Sequence, residues 1–267
     1  MKTKTLFPRH LIIAFLTVVI VSCNEETVLP EDNLSVSFLA VSNQARQQFF
    51  AYKTGDAGYA TEGNQHSFDQ YFMPGIAISL LDNDRLAHQF VQVIDTSLGA
   101  SKTKRYYSNP DSLSILPGDR LSVQAHLHSG SVFGTTIVPG DFDIVLPEDR
   151  AIVLTGSYSF GFLAVWSHSE GATFYLLNVV HHAELMHMGT VYIVHEETPF
   201  ISRDTSYYCT VPIFSSIPGE SWILEVFACD SSYDNHRFKG LPRAGISGDA
   251  LGFFGSAVKK QRRIQLQ

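Results

Sequence analysis

No apolar run in this chain reaches the eighteen or so residues that a bilayer-crossing helix needs, so a plain transmembrane anchor is not expected. Helical spacing is scarce too. Asn43 to Phe50 would make one or two turns and Ser231 to Lys239 another, and little else repeats every 3.6 residues. Familiar chemical signatures are missing as well. No Gly-x-Ser-x-Gly elbow presents a nucleophile, and the glycines at 245, 248, 252 and 255 lack the Lys-Ser/Thr pair of a phosphate loop. Asp82-Asn83-Asp84, Asp141-Phe142-Asp143 and Asp230-Ser231-Ser232-Tyr233-Asp234 lack the glycine and closing glutamate of a calcium loop and are read as turn and cap residues. Basic charge is also in short supply. Three of the 19 Lys and Arg fall within the first nine residues, leaving 16 against 26 acids, a balance of −10. Such a surface repels nucleic acid and anionic lipid. The cluster Lys259-Lys260-Gln261-Arg262-Arg263 stands between Val258 and Ile264 and is read as a solvated strand.

What is present begins with an export signal. Lys2, Lys4 and Arg9 precede the apolar stretch Leu11 to Val21, the length of a signal-peptide core. Ile20-Val21-Ser22-Cys23 then sets a small residue before a cysteine, as lipoprotein signal peptidase requires. Residues 1–22 are thus expected to be removed and Cys23 to carry lipid, with two or more acyl chains sufficing for stable anchoring. Residues 23–33 are acidic and polar and read as a solvated tether.

From Leu34 the pattern is that of strands. Leu34, Val36 and Phe38 alternate with serines, and so do Ile76, Ala77, Ile78, Ser79 and Leu80. Leu121, Val123, Ala125 and Leu127 alternate with Ser122, Gln124, His126 and His128, giving one dry face. Short strands punctuated by Gly, Pro, Asn and Asp point to an all-β fold built from sandwiches. Leu116–Ala125 is echoed 101 residues later by Ile217–Val226, each a Pro-Gly turn, an acid and a strand. That interval suits one immunoglobulin-like domain. Two β-sandwich domains are therefore expected, 34–138 and 139–267, meeting near Pro139-Gly140.

The second half resembles a fibronectin type III domain. Leu163-Ala164-Val165-Trp166-Ser167 matches its second strand, Thr173 to Val179 the next with Tyr175 at an aromatic position, and Pro218 to Ala228 the penultimate strand with Trp222 in place of a tyrosine. The resemblance implies that Trp166, Tyr175 and Trp222 form the core between two sheets. Over most of its length the chain is also similar to a family of Bacteroidota outer-membrane lipoproteins known as a domain of unknown function. The lipobox, Pro117-Gly118 with Thr135-Thr136-Ile137-Val138-Pro139, Phe227-Ala228-Cys229-Asp230 leading to Tyr233, and the tail Gly248 to Ser256 carry that likeness. It implies an outer-membrane location, at the periplasmic face or the cell surface, and no established activity.

Cys209 and Cys229 remain once Cys23 is assigned. An oxidising compartment permits a disulfide between them, whereas the fibronectin-like register sets them on different sheets with Cys229 outward. His126 and His128 share a strand face and offer two ligands for a metal with no third in view. The same pair suits the wet face of a strand. His181, His182 and His187 match no common site. No cofactor or metal is expected, and the functional expectation is a non-catalytic binding, adhesion or accessory module. Its partners would be membrane lipid through Cys23 and an envelope protein or glycan, met through loops or aromatics such as Tyr106-Tyr107 and Phe253-Phe254, although the latter pair is read first as core. An envelope hydrolase is the alternative.

Overall fold

Alternation of apolar and polar side chains carries straight into the architecture of a computed structural model, which describes residues 33–54, 72–83, 86–95, 104–128, 130–154, 156, 159–187, 190–212 and 221–267. Cys23, the signal peptide, the tether before Asn33, Asp84 and Pro218-Gly219 lie outside these residues, as do the side chains of His182 and His187. The first seven strands are β1 (Asn33–Val41), β2 (Gln48–Thr54), β3 (Ala77–Asp82), β4 (Leu86–Asp95), β5 (Lys104–Ser108), β6 (Arg120–Leu127) and β7 (Gly130–Ile137). Next come β8 (Ile144–Leu146), β9 (Ala151–Val153), β10 (Ser159–Trp166), β11 (Phe174–His187), β12 (Thr190–Ser202), β13 (Ser206–Pro212) and β14 (Ser221–Cys229). Helix α1 (Ser231–Arg237) precedes β15 (Arg243–Ala244), β16 (Ile246–Gly248) and β17 (Ala250–Leu266). The fold is all-β, with sandwich-like packing of sheets, as expected.

Most strands join one long sheet in the order β12-β11-β14-β17-β1-β2-β5-β4-β3-β6-β7-β16, while β13-β10-β8 form a second sheet. Phe160 and Trp166 on β10 face Trp222 on β14 and Tyr175 on β11, with centroid separations of 5.1 and 5.2 Å. The smaller sheet thus covers the β11-β14 region through its alternate residues Phe160, Phe162, Ala164 and Trp166, all buried. In the other half, Phe38 of β1 meets Phe49 of β2, Phe90 of β4 and Phe254 of β17.

The division into two domains is corrected. Residues Asn33–Gln267 form one compact unit. The cause is β17, a strand of 17 residues. Its first half pairs in parallel with β1, from Leu34↔Ala250 to Val41↔Ala257. Its second half pairs antiparallel with β14, from Cys229↔Ala257 to Ser221↔Gln265. One buried cluster accordingly holds Phe38, Ile78 and Leu121 together with Trp166, Trp222 and Ile264. Nor does Pro139-Gly140 serve as a linker. Gly140 N–H donates to the Glu170 carbonyl at 2.7 Å, and Ser169 Oγ donates to the Gly140 carbonyl at 2.6 Å.

Local expectations fare variously. Pro117-Gly118 does make a turn, with Gly118 at φ +86°, and Asp119 Oδ2 accepts from Leu116 N–H at 2.6 Å. Ser231 to Lys239 does contain a helix, α1, capped by Asp230, which accepts from Tyr233 N–H at 3.0 Å. Asn43 to Phe50 is not helical. Asn43 takes a left-handed conformation at φ 61°, and the buried Gln47 amide both accepts from Val41 N–H and donates to the Val41 carbonyl. With its side chain bonded to the backbone, that segment becomes a fixed turn into β2.

Candidate functional site

The register of three neighbouring strands builds an open groove on the outer face of the long sheet. β2 buries Phe49 and Ala51 and leaves Gln48, Phe50 and Tyr52 half-buried. Gln48 pairs with Ser108 on β5, whose alternate residues on the same face are Tyr106 and Lys104. On β4, Val91, Val93 and Asp95 pair with Ser108, Tyr106 and Lys104 in turn. Period-2 geometry therefore brings all these side chains to one side. The turn Gln44-Ala45-Arg46 and Asn109-Pro110 close one end, and the groove measures about 670 Å³.

Tyr106 lines the groove, and further rings stand beside it on the same face. Phe50 lies 6.0 Å from Tyr106 and 6.2 Å from Tyr52, the latter pair stacked at 14°. The Lys104 ammonium stands 5.1 Å from the Phe50 centroid and 5.7 Å from that of Tyr106, and it donates to Gln48 Oε1 at 3.2 Å. Burial pushes the Tyr106 phenol above its ordinary range; the Asp95 charge adds to this and Arg46 opposes it.

The other end is polar. Asn109 is fully engaged, accepting from Gln47 N–H at 2.7 Å and donating to the Ala45 and Asp111 carbonyls. Gln44 donates to the Arg46 carbonyl at 2.9 Å. Ser108 is only 4% exposed, and its Oγ has no hydrogen-bond partner. A second, smaller hollow of about 370 Å³ adjoins through Gln44 and is lined by Asn43, Lys259, Lys260 and Gln261. Its lysines are paired, Lys259 with Glu225 and Lys260 with Asp141 at 2.7 Å. The hydrogen bond from Lys260, ahead of the other influences, holds the Asp141 carboxyl below its usual range.

The residues singled out from sequence fall elsewhere. Trp166, Tyr175 and Trp222 are buried between the sheets, as the fibronectin-like register implies. Tyr175 Oη accepts from Ser169 N–H at 2.9 Å. Both indole N–H groups lack an acceptor among the described residues. Trp222 instead lies flat beneath His181, at 4.4 Å and 13°.

Cys209 and Cys229 are both free, so the disulfide left open by the sequence is not formed. Cys209 belongs to the smaller sheet, whereas Cys229 points to the far side of β14, packed with Phe174 and Ala257 beside Tyr233 of α1. Burial raises the Cys209 thiol to about 12. Cys229 is pushed higher still by burial, with the Asp230 charge adding to it.

His126 is exposed on β6, its Nδ1 lying 3.1 Å from Ser131 Oγ, whereas His128 is exposed in the turn just beyond the strand's end. Among the described residues no three His, Cys, Asp or Glu side chains assemble as metal ligands. Asn83 bonds Asp119 and Arg120 across its turn, and Asp234 pairs with Arg203 at 2.7 Å and Lys239 at 3.4 Å. Asp230 is buried and accepts from Thr136 Oγ1, Ser256 N–H and Ser256 Oγ as well as from its helix. Phe253 and Phe254 are buried, in keeping with their reading as core, and of the Tyr106-Tyr107 pair Tyr107 is buried while Tyr106 lines the groove. Gln44, Arg46, Gln48 and Ser108 were not foreseen. The signal for them was the polar alternation Gln48-Phe50-Tyr52 and Lys104-Tyr106-Ser108.

No protein-family model and no curated protein sequence matches the chain. Among solved structures it is similar to a DUF4785 family protein from Legionella pneumophila, at 9% identity and a TM-score of 0.22, covering 72% of this chain and 50% of that one. The chain thus spans half the length of the Legionella protein. It is also similar to CBD12 from CALX1.2, at 8% identity and a TM-score of 0.21, covering 86% of this chain and 99% of that one. At these scores neither likeness carries a functional argument.

Proposed function

We propose that the chain is a lipid-anchored, non-catalytic binding module of the outer membrane, held through acylated Cys23 and engaging an envelope partner through the groove between Arg46 and Tyr106. The observation that carries this reading is the groove itself, an open surface with the Tyr106 ring on one side and a polar end. Its lining of amides, a serine, a tyrosine, an arginine and two valines suits contact and hydrogen bonding rather than proton transfer near neutral pH. The Ile20-Val21-Ser22-Cys23 box and the likeness to Bacteroidota lipoproteins support the anchoring half.

A lipid-free form beginning at Asn24 keeps the whole compact unit Asn33–Gln267 and allows groove binding to be measured apart from anchoring. This form should be retained by an isolated envelope fraction, and the Arg46→Ala/Tyr106→Ala double variant should not. Equal retention of the two proteins would sink the reading.

A further inference from the structure

Resting on that binding reading, we infer that the groove takes a glycan, a sugar ring stacked on Tyr106 and its hydroxyls met at the Ser108 end. Three observations converge on this chemistry. First, the polar groups left open are of both kinds. Among the described residues Gln48 keeps its Nε2 donor and Gln44 its Oε1 acceptor, the Arg46 guanidinium has no acidic partner, and Ser108 Oγ can act either way. A sugar hydroxyl donates and accepts at once and so answers such a mixture.

Second, Ser108 is more than nine-tenths buried on the groove side of β5, with its hydroxyl unsatisfied. A buried hydroxyl without a partner is unfavourable, and an incoming hydroxyl removes the penalty. Third, Tyr106 brings an aromatic ring to the groove lining, with Phe50 tilted at 47° beside it. An aromatic face suits the C–H face of a pyranose unit.

Nucleic acid fits less well, since it meets a protein with 26 acids against 19 bases.

The test is affinity electrophoresis of the Asn24–Gln267 form in gels containing dextran, mannan or xylan. At least one polymer should slow the wild type. Tyr106→Ala should weaken that retardation about tenfold, the scale of one lost stacking contact, while Tyr106→Phe, which keeps the ring, should bind nearly as the wild type. Unchanged mobility in all three gels, or equal retardation of Tyr106→Ala, overturns the proposal. Periodate treatment of the envelope fraction separates this inference from the broader one. Groove-dependent retention should vanish when vicinal diols are cleaved. Retention that depends on Arg46 and Tyr106 but survives periodate leaves a binding module whose ligand is not a glycan.

Discussion

Truncation of Trp166 or Trp222 to alanine should cost about 3–5 kcal/mol, because each fills the layer between sheets and leaves a cavity that rigid strands cannot close. Chemical denaturation measures this, and acrylamide should fail to quench either indole in the native protein. Each indole N–H is buried without an acceptor, which itself opposes folding by about 1–3 kcal/mol. Trp222→Phe should therefore be far milder than Trp222→Ala. Asp230 makes a pH-dependent contribution of definite sign. Burial raises its carboxyl above the ordinary value, outweighing the opposing hydrogen bonds from Thr136, Tyr233 and Ser256. A group with a raised folded pKa stabilises most below its unfolded pKa, and the contribution fades as pH climbs through the folded value. The melting-temperature lead of wild type over Asp230→Asn should hence shrink as pH rises from about 3.5 toward neutrality. A lead that widens would mean that the four hydrogen bonds outweigh desolvation. The two buried thiols should resist a thiol reagent until the protein unfolds, and reductant should leave the melting temperature unchanged.

Within β17, Gly252 is the position least open to replacement. It sits opposite Val36 at φ +113°, and any Cβ there would run into the Val36 carbonyl oxygen. Gly252→Ala should lower the melting temperature more than Gly171→Ala, whose Cβ would meet open space at a comparable positive φ of +79°. β17 also explains where sequence reading succeeds and fails. Strands with one wet face declare themselves: Leu34 to Phe38 and Leu121 to Leu127 alternate, and β1 and β6 follow that alternation. From Gly252 to Val258, by contrast, β17 is buried on both faces. One side meets the main core through Phe254, and the other meets α1 through Phe253 against Tyr233 and His236. Alternation disappears there, and adjacent phenylalanines read as a loose aromatic pair. A parallel pairing with a strand over two hundred residues upstream leaves no turn signal either. The groove was half legible. Tyr106 and Tyr107 are neighbours in sequence but sit on opposite faces of β5, and Tyr107 is drawn inward, donating to the Met73 carbonyl at 2.6 Å. The polar lip at Gln44-Arg46 came from a stretch that looked helical and is fixed instead by the buried Gln47 amide.

For the whole molecule, one shared strand and one buried cluster imply a single cooperative unfolding transition in calorimetry, without separate melting of 34–138 and 139–267. Limited proteolysis should spare Pro139-Gly140, whose backbone is tied to Ser169 and Glu170. Two transitions, or a dominant cut at that bond, would restore the two-domain view. Anchoring is tested by metabolic labelling with a fatty acid. Wild type should incorporate it, and Cys23→Ala should not and should leave the membrane or persist as unprocessed precursor. The joining of β1 to β17 carries a further consequence in time. β1 begins at Asn33 and its partner begins at Ala250, so β1 waits for more than two hundred further residues to be made. Contacts so distant along the chain form slowly, because a long loop must close before they reward it. A nascent chain released short of Ala250 leaves the apolar row Leu34, Val36 and Phe38 with one edge open and no sheet to finish it. The strand Ala250–Leu266 thus acts as a completion check on the sheet, and a product that stops before it is fit for proteolysis rather than a smaller working protein.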